Sequence, residues 1–268
     1  MTKSSIKIGA VLAAILSLAA CGGGGGSSVT TSSSSTPTPA PRPTPAPSPR
    51  PTPSPAPAPS AQYQGVHLTA GSNQAHTAHA QAYNSNTLNE IQVGSRTVTV
   101  KYPGISSGTF GTFNTRNQNV TSSDGLLSYS RFGVYFGADK TDAEIANGSR
   151  STQTNKVFSM GQVTTNMPTT GTAVYNGRSL GSSTGNAYNQ GTSRFNVDFG
   201  AKTISGAVTN AAYSIDLRGT ISGASFSGAH NGVNMSGNFY GPNAAELGGV
   251  YNGTSNGRSV VGSFGAKR

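Results

Sequence analysis

Histidines are the side chains of this sequence best suited to hold a metal or a haem iron, because imidazole is a common ligand of both. Two of the four, His76 and His79, stand three residues apart in the polar segment QAHTAHAQAYN. One or both could ligate haem iron from a loop, whereas a plain surface role is the alternative for histidines in such a segment. We therefore consider haem as a ligand of His76 or His79, and otherwise expect no cofactor and no metal site.

Catalytic motifs give little support to an enzyme. The G-x-S-x-G pattern of hydrolase nucleophile elbows occurs four times, centred on Ser106, Ser179, Ser183 and Ser255. Four matches in a chain with 36 glycines indicate chance, since a working nucleophile also needs a strand-to-helix turn and acid and histidine partners. The eight carboxylates are scattered, and no pair is suggested for acid–base work. We expect a protein without catalytic residues that is not an enzyme.

Cys21 is the only cysteine, and it stands at the end of a signal sequence. Residues 1–20 combine a basic start with an apolar core too short to remain as a membrane-spanning helix, which is typical of a signal peptide. The last three of these residues and the cysteine read Leu-Ala-Ala-Cys, which matches the bacterial lipobox. We predict that the Cys21 thiol carries the lipid, with palmitate among its acyl chains, and that the chain forms no internal disulfide.

Residues 21–60 are expected to be a tether between the lipid and a folded part. Every second residue from Pro37 to Pro59 is proline, which fixes φ and removes the backbone donor, so an extended polyproline II conformation is predicted. A proline-rich recognition motif is the alternative for this segment. Glycine rather than aspartate follows Cys21, which favours the outer membrane of a Gram-negative bacterium. We predict an outer-membrane lipoprotein whose tether reaches the cell surface.

The charge of the chain does not indicate a nucleic-acid-binding protein. Its 18 Lys and Arg residues against 8 Asp and Glu residues give a formal net charge of +10. These charges are isolated, without the clustered basic stripe that phosphate recognition needs, and tryptophan is absent. Dispersed charge of this kind is typical of a soluble surface.

The remaining sequence has the patterning of antiparallel strands. Period-two alternation runs through segments such as 195–199 and 213–217, and Asn-Gly pairs, which suit tight hairpin turns, recur between the apolar runs. The last hundred residues hold eight short strands, enough to close into a barrel filled by its own side chains. These predicted strands lie near residues 171–175, 193–199, 202–208, 213–221, 224–228, 233–240, 247–251 and 259–265.

Helix is nearly absent from the pattern. Residues 141–147 have capping-box spacing and are predicted to form one short helix. Asn243 and Glu246 repeat that spacing, so Glu246 is expected to bond backbone amides in its own turn. A hairpin turn is predicted at Asn252-Gly253.

Four blocks of the C-terminal part resemble a known family. They are MPTTGTAVYNG (167–177), FNVDFGAKTISGAV (195–208), GNFYGPNAAELGGVYNG (237–253) and VVGSFGAKR (260–268). In this order they are similar to segments of the β-barrel domain of transferrin-binding protein B and its single-lobe surface-lipoprotein relatives. The resemblance covers about residues 165–268.

The resemblance implies an all-β fold with an eight-stranded barrel at residues 165–268, preceded by a smaller β handle at residues 61–164. It implies a non-catalytic surface lipoprotein, brought outward by an outer-membrane translocator. Its partner would be host transferrin, haemoglobin, a complement regulator or haem. A structural envelope lipoprotein is the alternative from another class. The matched blocks are scaffold, and they carry fold better than ligand.

Overall fold

The computed structural model describes residues 62–71, 78–183 and 187–268. The predicted signal peptide, the lipidation site Cys21, the tether and His76 lie outside these residues. Within them, no helix has both the length and the apolar character needed to cross a bilayer.

The described residues between 63 and 161 form a six-stranded antiparallel sheet and a separate two-stranded hairpin, which we call the handle. The sheet has the strand order β2-β1-β8-β7-β6-β5, and the hairpin pairs β3 with β4. One helix, α1, connects β7 to β8. The elements are β1 (Tyr63–Gly71), β2 (Gln81–Ser85), β3 (Glu90–Val93), β4 (Arg96–Thr99), β5 (Thr109–Thr115), β6 (Gln118–Asp124), β7 (Ser130–Ala138), α1 (Asp142–Ala146) and β8 (Gln153–Gly161).

The remaining eight strands form a closed antiparallel barrel in which each strand pairs with its neighbours in sequence and β16 closes onto β9. The predicted all-β fold with an eight-stranded barrel and a smaller sheet is confirmed. The strands are β9 (Thr172–Ser182), β10 (Asn189–Asp198), β11 (Thr203–Asn210), β12 (Ser214–Ser222), β13 (Ser225–His230), β14 (Val233–Tyr240), β15 (Glu246–Ser255) and β16 (Arg258–Lys267).

Aromatic side chains fill the interior of the barrel. Phe195 and Phe264 lie with ring centroids 4.7 Å apart, and Phe226 meets Phe239 edge to face at 5.4 Å. Each of these four rings is buried. An eight-stranded barrel is just wide enough for its own side chains to fill, so the interior here is a packed core.

Two of the Asn-Gly pairs form the hairpin turns that their sequence predicts. Asn231-Gly232 and Asn256-Gly257 have positive φ at both positions and connect β13 to β14 and β15 to β16. The turn predicted at Asn252-Gly253 is wrong, because both residues lie inside β15. The Asn252 side chain is buried and donates to the Ala78 carbonyl at 2.5 Å.

The predicted short helix is confirmed as α1. Thr141 is its N-cap: the Thr141 hydroxyl accepts a hydrogen bond from the Glu144 amide, and the Glu144 carboxylate accepts one from the Thr141 amide. This reciprocal capping box satisfies two of the free donors at the helix start.

The handle sheet is covered on both faces. On one face, Tyr135, Phe158 and Met160 pack against the β3–β4 hairpin, where Ile91 and Val98 are buried. On the other face, apolar side chains of the sheet pack against the outer wall of barrel strands β9, β15 and β16. That second cluster comprises Leu68, Phe110, Phe132, Val134 and Val157 of the sheet with Leu180, Val250 and Val261 of the barrel.

Glu246 fastens the handle to the barrel. Its carboxylate, only 3% exposed, accepts hydrogen bonds from the Ser128 amide at 2.6 Å, the Tyr129 amide at 3.1 Å and the Ser130 hydroxyl at 2.8 Å. The prediction that it bonds amides of its own turn is therefore wrong. The short 3-10 turn at Pro242–Ala244 has no side-chain cap, because Glu246 already belongs to β15 and turns outward to the handle.

Glycines on the barrel wall let the sheet approach closely. A Cβ on Gly248 would lie 2.5 Å from the Ser159 hydroxyl oxygen, and a Cβ on Gly265 would lie 2.6 Å from side-chain carbons of Leu127 and Phe132. Real Cβ atoms do not approach other atoms so closely, so a larger residue would push the sheet outward. These two glycines belong to the sequence blocks GNFYGPNAAELGGVYNG and VVGSFGAKR.

The handle also contains a cluster of titratable side chains, none of which pairs with a carboxylate among the described residues. Lys156 is buried, donates to the Gln92 carbonyl at 2.8 Å and lies 4.9 Å from the centre of the Tyr83 ring. The His67 ring meets Tyr83 edge to face at 5.8 Å. Burial, and after it the charge of Lys156, lowers the pKa of His67 to about 4, and burial lowers the pKa of Lys156 to about 8.

Glu246→Gln is expected to lower the free energy of unfolding by about 1–3 kcal/mol, because it removes charge-assisted hydrogen bonds to buried donors and turns an amide group toward them. Urea unfolding of the two proteins measures the difference. Asp216→Asn is the control, since that exposed carboxylate on β12 has no ion pair or hydrogen bond in the described part of the chain. Equal unfolding curves for Glu246→Gln and the parent protein would contradict the role assigned to Glu246.

Stability is expected to fall as the pH decreases from about 6.5 to about 4. The folded pKa of His67 lies below its usual value of 6.5, so the unfolded chain takes up the proton first. Above pH 6.5 the His67 ring is neutral in both states, and its stabilising contribution to the folded state is fully present. That contribution is lost as the pH falls through the folded pKa of about 4. Urea midpoints measured across this range should fall more steeply with decreasing pH in the parent protein than in His67→Gln, and a parallel pH dependence would disprove the assignment.

Candidate functional site

The loop between β4 and β5, residues 100–108, presents two large apolar side chains to solvent. Tyr102 is 53% exposed and Ile105 is 64% exposed, and the third large exposed hydrophobic residue of the described chain, Val174, lies elsewhere on the barrel. The Tyr102 ring packs edge to face on Phe113 of β5 at 5.2 Å. Single exposed apolar residues are ordinary, whereas a group of them marks a contact surface. We call Tyr102, Ile105 and Phe113 the apolar patch.

The carboxylate of Asp124 holds this loop in place. One oxygen accepts from the Lys101 ammonium at 2.7 Å, and the other accepts from the Ser107 amide at 2.7 Å. Asp124 is buried, which opposes ionisation, but the bonds from Lys101 and Ser107 still leave its pKa below the usual value. Because both ends of the loop bind one fixed carboxylate, the apolar patch is displayed on an ordered backbone.

Arg131 is a second buried charge near this loop, and it bonds the backbone on either side of it in the handle. Its guanidinium donates to the Leu88 carbonyl at 2.8 Å and to the Ser123 carbonyl. Burial lowers the pKa of Arg131, and the charge of Asp124 opposes this shift. The loop therefore rests on a layer in which two buried charges are hydrogen-bonded.

His79, one of the two predicted haem ligands, lies exposed beside the barrel. It lines a cleft of about 430 Å³ between the residues that precede β2 and the barrel wall, together with Asn234, Met235 and Asn252. Met235 is the other residue type here that can bind haem iron, but it is buried and packs in the barrel core. Among the described residues, no three His, Cys, Asp or Glu side chains come together as a metal site. Haem binding by His79 stays a prediction.

Three of the serines from the hydrolase-like motifs lie where no nucleophile elbow forms. Ser179 lies inside β9 and donates to the Thr192 carbonyl at 3.2 Å. Ser255 is the last residue of β15, and Ser106 lies in the loop before β5. A nucleophile elbow requires a strand-to-helix turn, which none of these three positions provides.

Sequence reasoning did not single out the apolar patch. The signal was the run Tyr102-Pro103-Gly104-Ile105, in which large apolar residues occupy a segment that Pro and Gly mark as a turn. A loop of this composition cannot bury both side chains in its own turn. The anchoring role of Asp124 had no sequence signal, because its two partners lie 17 and 23 residues away.

Comparisons with known proteins place the barrel in a family. The family described as C-lobe and N-lobe beta barrels of Tf-binding protein B matches residues 167–268. An uncharacterized protein from Haemophilus influenzae is 30% identical over 200 residues, which cover 68% of this chain and 66% of that protein.

Solved transferrin binding proteins have the same fold. The protein from serogroup B Neisseria meningitidis is 19% identical with a TM-score of 0.54, and the match covers 77% of this chain and 43% of that one. A Trp-176-Ala mutant from Haemophilus parasuis Hp5 is 20% identical with a TM-score of 0.52, over 76% of this chain and 45% of that one.

The chain spans less than half the length of these solved proteins. It also covers 45% of the intact Ap-TbpB structure, which contains both an N lobe and a C lobe, with 22% identity and a TM-score of 0.51. The closed barrel of β9 to β16 coincides with the residues that the family matches. This chain therefore carries a β-barrel domain of the transferrin-binding protein B type.

Proposed function

We propose that this protein is a non-catalytic surface lipoprotein that captures a host protein on the apolar patch of its handle. Proteins with the same type of barrel are named for binding transferrin, so an iron-carrying host protein of the transferrin type is the first partner to test. Haemoglobin, complement regulators and haem remain the other candidates from the family resemblance.

The observation that carries this proposal is the display of Tyr102 and Ile105 by an ordered loop. Aromatic and aliphatic side chains that insert into a partner supply much of the binding energy of protein interfaces, about 1.5–3 kcal/mol for each large side chain that becomes buried. A loop whose ends are fixed loses little further entropy when it binds. The patch thus has the composition and the order of a binding anchor.

The proposed location is the outer face of the outer membrane, with the lipid on Cys21 as the anchor and a dedicated translocator bringing the protein outward. This rests on the lipobox and on the proline-rich tether of the sequence.

Cys21→Ser is expected to release the protein from the membrane, because the serine hydroxyl does not accept the thioether-linked lipid. Membrane fractionation measures the release, and Ser28→Ala is the control with an unchanged thiol. Protease added to whole cells should remove the parent protein from the surface. Retention of Cys21→Ser in the membrane would refute lipidation at that residue, and full protease protection would favour a periplasmic structural role.

The double variant Tyr102→Ser with Ile105→Ser is expected to weaken capture of purified transferrin, or of the protein retained from host plasma, by at least about tenfold, since one tenfold step needs only 1.4 kcal/mol. Binding of the full chain is measured by surface plasmon resonance. Val174→Ser is the matched control, because it removes an exposed apolar side chain from the barrel wall. Equal losses in both variants, or none in the double variant, would contradict the proposal.

A further inference from the structure

Strand β5 ends the handle sheet on one side. It pairs with β6 alone among the described strands, and β2 ends the sheet on the other side. β5 has seven residues with the sequence TFGTFNT, and it contains none of the proline, lysine or other charged residues that usually protect an edge strand. The barrel has no edges, because it is closed. The handle therefore contains the open sheet edges of the described chain.

The backbone groups that face outward from β5 follow from its hairpin with β6. A two-residue turn connects Thr115 to Gln118, and the closing pair of such a turn is hydrogen-bonded. Successive residues of β6 bond alternately to β5 and to β7. The Asn117 carbonyl accepts from the Ala138 amide of β7, which agrees with Gln118 bonding to β5. Hydrogen bonds to β6 therefore involve Thr115 and every second residue before it. The amides and carbonyls of Phe110, Thr112 and Asn114 point away from the sheet.

β5 is better suited than β2 to accept another strand. β2 has only five residues, and the barrel stands beside it across a cleft of about 220 Å³ lined by Ser225, Ser236 and Asn238. β5 begins directly after the loop that carries Tyr102 and Ile105. Phe113, the third residue of the apolar patch, belongs to β5 itself. A partner held on the patch would therefore have its backbone next to the β5 edge.

Two arginine side chains near β5 have no ion pair among the described residues. Arg116 lies exposed at the tip of the β5–β6 hairpin and has no ion pair within the described residues. Arg178 of β9 lies over the Phe110 ring at 5.8 Å and donates through Nη2 to the Gln190 side-chain oxygen at 3.5 Å. Its buried Nε–H has no hydrogen-bond partner among the described residues. Two carboxylates lie beside this hairpin, Asp124 opposite Thr109 and Asp142 on the Asn117 side chain, and they are paired with Lys101 and Arg96. A segment that meets this edge thus encounters two guanidinium groups that have no carboxylate partner among the described residues.

We propose that β5 accepts an extended, acidic segment of the partner protein as an added antiparallel or parallel strand. Main-chain hydrogen bonds to Phe110, Thr112 and Asn114 would hold the segment, and its carboxylates would bind Arg116 and Arg178. This rests on the proposed function, because it specifies how the partner docks beside the apolar patch.

Two fluorescent seven-residue peptides test the proposal. One alternates glutamate with valine, and the other has lysine in place of each glutamate. Fluorescence anisotropy with the full chain should show that the glutamate peptide binds at least about tenfold more tightly, with the preference reduced in Arg178→Gln. Binding of neither peptide, or equal binding of both, would overturn the proposal.

Thr112→Pro removes one outward amide without removing a hydrogen bond to β6, as proline on an edge strand can. It should weaken binding of the glutamate peptide about tenfold, whereas Thr112→Ala, which keeps the amide, should change it by less than about twofold. Unchanged binding in Thr112→Pro would overturn strand addition.

Hydrogen exchange of the parent protein gives a second readout that needs no variant: the amides of Phe110, Thr112 and Asn114 should become protected when the peptide binds, and unaltered exchange would overturn the proposal.

The same variants separate this inference from the proposed function. If Tyr102→Ser with Ile105→Ser abolishes capture of the host protein and Thr112→Pro does not, the patch binds the partner and strand addition is wrong. If capture survives the loss of the patch, the proposed function itself is wrong, whatever the peptides show.

Discussion

The fixed distance between the handle sheet and the barrel wall is the constraint on which the other features depend. Glycines at positions 248 and 265 allow the sheet to lie against the barrel, and the buried carboxylate of Glu246 binds three donors just before and at the start of the handle strand β7. A buried charge of this kind is favourable only when its hydrogen bonds are complete. The handle and the barrel are therefore positioned by the hydrogen bonds of Glu246 and by the two glycines that leave room for the sheet, as well as by apolar packing.

This arrangement explains which residues the family resemblance detects. The blocks that resemble transferrin-binding proteins contain Gly248, Glu246 and Gly265, all of which face the handle, and the aromatic residues that fill the barrel. The apolar patch and strand β5 lie outside the matched residues 167–268. The recognisable part of the sequence thus specifies the frame, and the surface that we assign to binding is free to differ between relatives.

The barrel could be predicted from the sequence because its determinants are local. Alternation of apolar residues places one face of each strand inside, and Asn231-Gly232 and Asn256-Gly257 form turns that need positive φ. Glu246 was misread because its partners lie 116 to 118 residues earlier in the chain, beyond any local pattern. Asn252-Gly253 was misread because burial against Ala78 overrides the turn preference of the dipeptide. The patch residue Tyr102 had only a weak turn signal, and the open edge of β5 depends on strand order, which spacing does not reveal.

The position of β1 in the sheet has a mechanical consequence. β1 is the first strand of the handle, yet it lies inside the sheet, paired with β8 over eight residue pairs and with β2 over five. Tension directed along β1 would load both ladders in shear, so that many hydrogen bonds resist together.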